Sequence, residues 1–245
     1  MKKERLDVLV LERGLANDLS HAKALILAGQ VVVDDQRIDK PGTRIAVTAE
    51  LRLKGEVMPY VSRGGLKLKA AIDALTLDVR GAVCADIGAS TGGFTDCLLQ
   101  SGAARVHAID VGYGLLHEKL RVDPRVIAHE RVNARRLSDD DVPEPLDVIV
   151  ADVSFISLTV VLPPVLPKLK PGGVLIALVK PQFEVAAAEL SEGGVVRDAT
   201  VRQAAIDSIR RFVSRAGLIE LGCIDSPIHG PAGNVEALLA ARKGY

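Results

Sequence analysis

Acidic and glycine residues follow one another in a pattern that could hold a nucleotide-like ligand. A short apolar run ends in Asp86, and Gly88, Gly92 and Gly93 come soon after it. A buried strand, a tight turn that a ligand can approach closely, and the start of a helix would produce this order. Asp110 ends the next apolar run, where a carboxylate can accept hydrogen bonds from ribose hydroxyls. The pattern indicates a site for a cofactor that contains adenosine.

The glycine spacing separates two classes of cofactor. Dinucleotide-binding folds use G-x-G-x-x-G, so that a pyrophosphate meets a helix N-terminus. Here the spacing from Gly88 to Gly93 is G-x-x-x-G-G. With Asp86 it fits better the D-x-G-x-x-x-G-G turn of S-adenosylmethionine (SAM) methyltransferases, whose cofactor has no pyrophosphate. An ordinary strand, turn and helix without a ligand is the remaining alternative, because glycine is common at turns.

Four further charged residues stand in or beside apolar segments. Asp152 and Lys180 each end a run that reads as a buried strand, and Glu236 lies in another apolar run. An unpaired buried carboxylate is costly, so Glu236 needs a partner such as a lysine. Lys67 lies on a predicted helix, where a surface lysine is the alternative, and helix capping is the alternative for Asp152. A lysine is not expected at the end of a buried apolar strand unless the strand ends at a cleft, so the position of Lys180 indicates a cleft there.

Strands and helices that alternate along residues 82–224 must position these groups. The predicted strands are 83–87, 105–110, 126–129, 146–152, 174–180 and 218–224, and the predicted helices are 94–102, 115–121, 158–169 and 199–216. Such alternation is typical of an α/β fold with a mostly parallel sheet and helices on both faces. Ligands then bind outside the carboxyl ends of the strands. The segment 184–196 is rich in Gly and Glu, and we expect a loop that closes over substrate.

The N-terminal segment predicts a small α+β module of its own. Helices are expected over 4–13 and 20–28, the second capped by Ser20, followed by short strands at 31–33, 44–47 and 50–53. The amino-acid sequence of this segment resembles the RNA-binding module named after ribosomal protein S-four, in which basic side chains on rigid helices contact RNA phosphates. The resemblance implies RNA contacts at Arg5, Arg13, His21, Lys23 and Arg63. His21 departs from the family, which usually has Arg there.

Composition bounds the remaining possibilities. The chain has 245 residues and zero formal net charge. Residues 1–69 carry 13 Lys and Arg against 9 Asp and Glu, so the N-terminal part is basic and the rest of the chain is acidic. The three cysteines form no C-x-x-C pair, so we expect neither a disulfide framework nor a metal site, and a cytoplasmic location. No signal-type segment or membrane-spanning run is apparent.

Seven motifs in order resemble the TlyA family, ribosomal RNA cytidine 2′-O-methyltransferases with an FtsJ-like catalytic domain that are sometimes called hemolysins. The motifs are SRG (62–64) with Lys67, DIGASTGGFTDCLLQ (86–100), DVGYG (110–114), NAR (133–135), DVSFIS (152–157), LVKPQFE (178–184) and GNVE (233–236). The resemblance implies a Rossmann-like SAM-dependent methyltransferase fold with a mostly parallel seven-stranded sheet. It also implies an RNA-binding domain at 1–58, a linker at 59–62 and a catalytic domain at 63–245.

The resemblance assigns residues to the site as well. A catalytic tetrad maps to Lys67, Asp152, Lys180 and Glu236. The positions assigned to SAM are Asp86, Gly88, Ala89, Ser90, Gly92, Gly93, Phe94, Asp110, Val111, Asn133, Ala134 and Asp152. Relatives often have Gln where this chain has Leu115.

Methyl transfer to a ribose hydroxyl explains why such groups are needed. The hydroxyl is a poor nucleophile, so its alignment supplies much of the acceleration. Lys180 would hold the hydroxyl and, if its amine is neutral, take the hydroxyl proton. If the amine is charged, Lys180 would instead position the hydroxyl and stabilise the negative charge that develops on its oxygen. We expect ribosomal RNA or ribosomal subunits as partner, no membrane, no metal and a monomer. An RNA-binding protein without catalysis and a membrane-lytic protein are the alternatives.

Overall fold

The computed structural model describes residues 2–34, 36–54, 58–230 and 232–244. The chain divides into an N-terminal unit, Met1–Met58, and a C-terminal unit, Pro59–Tyr245. Residues 59–62, which the sequence suggested as a linker, lie in the C-terminal unit, where Tyr60 is buried in the core beside Leu68 and Cys97.

The N-terminal unit contains two short helices and small antiparallel sheets. Its elements are β1 (Lys3–Arg5), α1 (Leu6–Glu12), α2 (Leu19–Leu27), β2 (Val31–Val33), β3 (Gln36–Arg37), β4 (Arg44–Ala46) and β5 (Leu51–Leu53). β1 pairs with β4, and β2 pairs with both β3 and β5. Leu6, Val10, Ile26 and Val31 are fully buried in its core, so apolar faces of both helices cover the sheet residues.

Two local predictions in this unit are wrong. A helix was expected from residue 4, but residues 3–5 are extended because they pair with 44–46, and the helix begins at Leu6. Ser20 is not the cap of α2. Asp18 takes that position, and its Oδ1 accepts the backbone N–H of His21 at 2.7 Å.

The C-terminal unit is a seven-stranded sheet between helices. Its elements are α3 (Gly64–Ala74), β6 (Val83–Ile87), α4 (Gly93–Gln100), β7 (Arg105–Asp110), α5 (Glu118–Arg121), β8 (Val126–Glu130), β9 (Leu146–Ala151), α6 (Leu158–Val161), β10 (Leu169–Val179), α7 (Pro181–Glu184), α8 (Ala199–Arg215), β11 (Leu218–Asp225) and β12 (Ala237–Lys243). The strand order is β11-β12-β10-β9-β6-β7-β8, and only β12 runs against its neighbours. The expected mostly parallel α/β sheet is confirmed.

The strand order places a crevice at the carboxyl ends of β6 and β9. The chain runs outward from β6 through β7 to β8 and then returns to β9 on the other side of β6. The loops that leave β6 and β9 therefore diverge, which is where open α/β sheets bind ligands. The central strands are buried on both faces, with one apolar core on each side, so this edge is held rigidly.

Helix lengths differ from the expectation in two places. The helix predicted over 158–169 is reduced to α6 and a single 3₁₀ turn at Leu166–Lys168, because Pro163, Pro164 and Pro167 supply no backbone N–H to continue it. The helix predicted over 115–121 begins only at Glu118. Within the described part of the chain, no helix is long and apolar enough to cross a membrane.

Candidate active site

Asp86 joins the end of β6 to the first turn of α4. It is fully buried, and its Oδ2 accepts the backbone N–H of Thr95 at 2.9 Å and the Thr95 hydroxyl at 2.7 Å. Burial raises the pKa of Asp86 to about 7, the nearby charges of Asp152 and Asp110 add to this, and the Thr95 bonds oppose it. Its Oδ1 has no hydrogen-bond partner among the described residues. One buried acceptor is therefore available to a ligand.

The glycines of the turn serve different purposes. Gly88 has φ +82°, and a Cβ there would lie 2.5 Å from the carbonyl oxygen of Asp152, so only glycine lets the two loops approach. A Cβ at Gly92, where φ is +94°, would collide with Leu120 and Leu116. In the part of the chain that is described, Gly92 lines neither of the cavities below, so it serves packing rather than the ligand.

Asp110 closes the turn from the next strand. Its Oδ2 accepts the backbone N–H of Ser90 at 2.8 Å, and its Oδ1 accepts that of Gly112 at 2.7 Å. Each carboxylate oxygen keeps a second lone pair, so Asp110 can still accept from a ribose hydroxyl. It lines a cavity of about 420 Å³ together with six other positions that were assigned to SAM: Gly88, Ser90, Val111, Asn133, Ala134 and Asp152.

A larger cavity of about 660 Å³ adjoins the first through shared lining at Gly88, Ser90, Asp152 and Ser154. All four residues of the expected tetrad line it, as do Ala89, Gly93 and Phe94. Apart from Gly92, the site residues that the sequence predicts in the C-terminal unit thus line these two cavities at one edge of the sheet.

Lys67 and Glu236 form a buried ion pair at this cavity. Lys67 Nζ lies 2.5 Å from Glu236 Oε2, and the two side chains are only 10% and 1% exposed. Lys67 comes from α3, and Glu236 directly precedes β12, so the pair joins two distant parts of the chain. The helix-surface alternative for Lys67 is wrong, since the residue is buried and paired.

Lys180 and Asp152 form a second pair. Lys180 Nζ lies 2.7 Å from Asp152 Oδ1 and donates to Ser154 Oγ at 2.8 Å. Asp152 Oδ1 is buried and accepts no hydrogen bond among the described residues, so its contact with Lys180 is an ion pair. The capping alternative for Asp152 is wrong, because Ser157 caps α6.

Unpartnered acceptors cluster around the same cavity. Among the described residues, Asp86 Oδ1, Asp152 Oδ1, Glu236 Oε1 and Gln182 Oε1 are buried without a hydrogen bond, and all four residues line it. Buried acceptors are normally satisfied, so this arrangement fits a ligand that brings donors such as an ammonium group or hydroxyls.

Two aromatic residues at the cavity escaped the sequence reasoning. Phe155 is 91% exposed, has φ +63° and lies with its ring centroid 5.2 Å from that of Phe183. Both line the larger cavity. The signal in the sequence that could have indicated Phe155 is its position between Ser154 and Ser157, just after the end of a predicted strand. Ser154 and Gln182 were also missed, and they lie two positions after Asp152 and Lys180, respectively.

The residues expected to contact RNA differ in how tightly the protein holds them. Arg5 pairs with the buried Asp7 at 2.7 Å, and Arg13 donates to the carbonyl oxygens of Ala49 and Val47 at 2.6 and 2.5 Å. Arg13 therefore has a structural role in the N-terminal unit. His21 and Lys23 are exposed on α2, whereas Arg63 lies in the C-terminal unit and lines the larger cavity.

A parallel sheet with one antiparallel strand and a glycine-lined crevice at its switch point defines the Rossmann-like methyltransferase class. Two solved structures share this fold at low identity. The Bradyrhizobium japonicum N-methyltransferase NodS with S-adenosylhomocysteine has a TM-score of 0.53 at 16% identity, covering 75% of this chain and 86% of NodS. A SAM-dependent methyltransferase from Mesorhizobium loti has a TM-score of 0.52 at 15% identity, covering 71% and 96%.

Closer comparisons identify the family. The model of FtsJ-like methyltransferases matches residues 60–243, and that of the S4 domain matches residues 4–51. YqxC of Bacillus subtilis, whose name assigns it to the rRNA methyltransferases, is 46% identical over 97% of this chain and 85% of its own. The Mycobacterium tuberculosis 16S/23S rRNA (cytidine-2′-O)-methyltransferase TlyA is 42% identical over 98% and 90%. Hemolysin A of Brachyspira hyodysenteriae is 39% identical over 96% and 98%. The chain belongs to the TlyA family of FtsJ-like methyltransferases, as its motifs predicted.

Proposed function

We propose that this protein transfers a methyl group from SAM to the 2′-hydroxyl of a cytidine in ribosomal RNA. The observation that carries the proposal is the convergence of two lysine–carboxylate pairs, Lys67–Glu236 and Lys180–Asp152, on one cavity beside the glycine turn. The rRNA methyltransferase names of its relatives support the choice of substrate. Ribosomal RNA or a ribosomal subunit is therefore the proposed partner, the cytoplasm the proposed location and a monomer the proposed state.

The residues at the crevice fit SAM. Asp110 and Asn133 line the smaller cavity, which suits adenosine, and Asp86 Oδ1 offers an open acceptor for the amino group of the methionine part. A Cβ at Gly88 would fill the space between the two loops. When bound, SAM supplies a sulfonium methyl that passes to the ribose oxygen, while the sulfur keeps the bonding electrons and leaves as a neutral thioether.

Lys180 is the residue proposed to act on the hydroxyl. Its Nζ is held by Asp152 and Ser154, so the amine is fixed at the cavity wall rather than free to rotate. In its neutral form it takes the hydroxyl proton, and in its charged form it donates to the oxygen and stabilises the developing negative charge. Both roles require the same placement, and alignment of the attacking oxygen supplies a large part of the acceleration.

Lys67 and Glu236 complete the electrostatics of the cavity. Breaking a buried pair leaves an uncompensated charge, so neither residue is replaceable alone. The exposed Phe155 ring at the mouth offers a flat apolar surface to an RNA base. We propose residues 1–58 as the domain that docks on RNA, through Lys23 and its neighbours, and residues 63–245 as the domain that carries out transfer.

The sequence supplies a matched control for testing Lys180. Strand β10 carries a second lysine–aspartate pair at its opposite end, where Lys170 Nζ lies 2.7 Å from Asp147 Oδ1. We expect Lys180→Ala to lower methyl transfer to ribosomal RNA by about 100-fold or more while the Kd for SAM changes less than about twofold. Lys170→Ala should retain transfer.

The assay measures transfer of a labelled methyl group from SAM to ribosomal RNA taken from cells that lack the gene. A 2′-O-methyl group blocks alkaline cleavage of the adjacent phosphodiester, so the modified nucleotide can be mapped. Turnover retained by Lys180→Ala would exclude the proposed role of the lysine. A methyl group found on a base would exclude the proposed reaction.

A further inference from the structure

The loops that follow β9 and β10 are joined a second time, away from Lys180. Glu184 ends α7, and its Oε2 accepts the hydroxyl of Ser157 at 2.5 Å while its Oε1 accepts the backbone N–H of Leu158 at 2.9 Å. Ser157 is the residue that caps α6. One carboxylate therefore holds the far end of the loop 152–157 against the segment 180–184.

The near end of the same loop is held by Lys180, through Asp152 and Ser154. Between the two attachments stands Phe155, with φ +63° and its ring almost wholly exposed. A left-handed phenylalanine is strained, and such a conformation persists only when its surroundings fix it. The attachments at both ends of the loop can fix it, together with the contact between the rings of Phe155 and Phe183.

The attachment by Glu184 depends on a carboxylate with two accepting oxygens. Both of its contacts are donors, a hydroxyl and a backbone N–H, and an ionised carboxylate accepts at both oxygens. Glu184 is partly buried, and burial raises its pKa while the bonds from Ser157 and Leu158 lower it. Neither Glu184 nor Ser157 lines either site cavity among the described residues, so any effect on transfer is indirect.

We propose that Glu184 is a positioning residue for methyl transfer: its carboxylate fastens the loop 152–157 to the segment 180–184 and so holds Asp152 and Phe155 in place around Lys180. This inference rests on the proposed function, because it takes Lys180 as the group that acts on the ribose. It assigns to the glutamate of the 178–184 motif a role that the tetrad does not contain.

The test compares three variants with the wild-type protein. Glu184→Gln removes one acceptor without changing size, and Ser157→Ala removes the hydroxyl that Glu184 binds together with the cap of α6. Glu220→Gln is the matched control, since it removes the charge of an exposed glutamate on β11 that accepts a hydrogen bond from Arg210 and lines neither site cavity. We expect kcat for transfer to ribosomal RNA to fall about tenfold in Glu184→Gln, as for one lost charge-assisted hydrogen bond. KM for RNA should change less than kcat, the Kd for SAM less than about twofold, and the control should match the wild type.

A double variant separates a specific contact from general damage. Because Ser157 also caps α6, we expect the loss of transfer in the double variant, Glu184→Gln with Ser157→Ala, to be smaller than the product of the two single losses. A multiplicative loss in the double variant would overturn the inference, as would a kcat for Glu184→Gln equal to that of the control. A Kd for SAM that weakens as much as kcat falls would also overturn it, because the carboxylate would then support the whole site.

Hydrogen exchange gives a readout that does not need activity. The peptide that covers residues 152–158 should exchange faster in Glu184→Gln and in Ser157→Ala, but not in Glu220→Gln. Unchanged exchange in all three variants would contradict the proposed attachment. If the wild-type protein methylates no ribosomal RNA but the exchange result holds, the proposed function fails while the attachment of the loop stands.

Discussion

Replacing Asp86 by Asn should make the protein more stable at alkaline pH. The carboxyl is fully buried, and its pKa is raised to about 7 from an ordinary value of 3.8, chiefly by burial. The folded protein therefore keeps a proton that the unfolded chain releases. The stabilising contribution of the protonated carboxyl is fully present below about pH 4 and is lost progressively as the pH rises to about 7.

The difference between the two pKa values sets the size of the effect. It corresponds to about 4 kcal/mol of unfolding free energy lost by the wild-type protein between about pH 4 and about pH 8. Asn has the same shape and can still accept from Thr95, but it does not titrate. The stability of Asp86→Asn relative to the wild type should therefore rise with pH by up to this amount. Binding of SAM should weaken in the same variant.

Urea unfolding at about pH 5 and about pH 8 measures about 3 kcal/mol of this change, because the first part of the loss falls below pH 5. Asp207→Asn serves as the control, because Asp207 is half-exposed and its pKa is lowered by Arg210. Its carboxyl is therefore ionised in both the folded and the unfolded chain over this range, and the stability of the control relative to the wild type should not change with pH. A difference between Asp86→Asn and the wild type that stays flat with pH would refute the reasoning. It would mean that Asp86 has the same charge in the folded and unfolded states throughout this range.

Three other changes test separate parts of the structure. Gly88→Ala should lower the unfolding free energy by roughly 2 kcal/mol or more in urea titrations, since φ is +82° and the new methyl would meet the carbonyl of Asp152. The pKa of His129 is lowered by burial and by His107, so the wild type should lose stability as the pH falls below about 6.5, and His129→Gln should lose less. Arg13→Ala should cost about 1–2 kcal/mol through two lost bonds to carbonyls, measured by thermal unfolding; an unchanged midpoint would show that those bonds contribute nothing.

Sequence reasoning predicted the catalytic sheet well because its strands are continuous apolar runs with charged residues at their ends. Asp86, Asp110 and Lys180 were singled out for that reason, and the parallel topology brings their strand ends to one edge. The resemblance to the TlyA family supplied Lys67, whose local pattern favoured a surface position. Lys67 is buried in contact with Glu236, which follows it by 169 residues in the sequence. The residues next to Lys67 in the sequence therefore do not reveal this contact.

Other misses have the same physical origin. The strand at residues 3–5 forms only because residues 44–46 pair with it, and its own sequence, KER, has little preference for a strand. Gly92 looked like a ligand-binding glycine, but its positive φ and its contact with Leu120 come from the way α5 packs on the turn. Glu184 was read as the start of a loop, and only the fold places it beside Ser157.

The position of β12 affects the order in which the protein can mature. This strand follows all the others in the sequence, yet it lies inside the sheet between β10 and β11, and Glu236 directly precedes it. During synthesis, the partial chain that ends before Glu236 lacks the strand that pairs with both β10 and β11, and it also lacks the carboxylate that pairs with Lys67. The sheet and the charge pair are thus completed by the same segment, so a nascent chain cannot assemble the cleft before that segment leaves the ribosome.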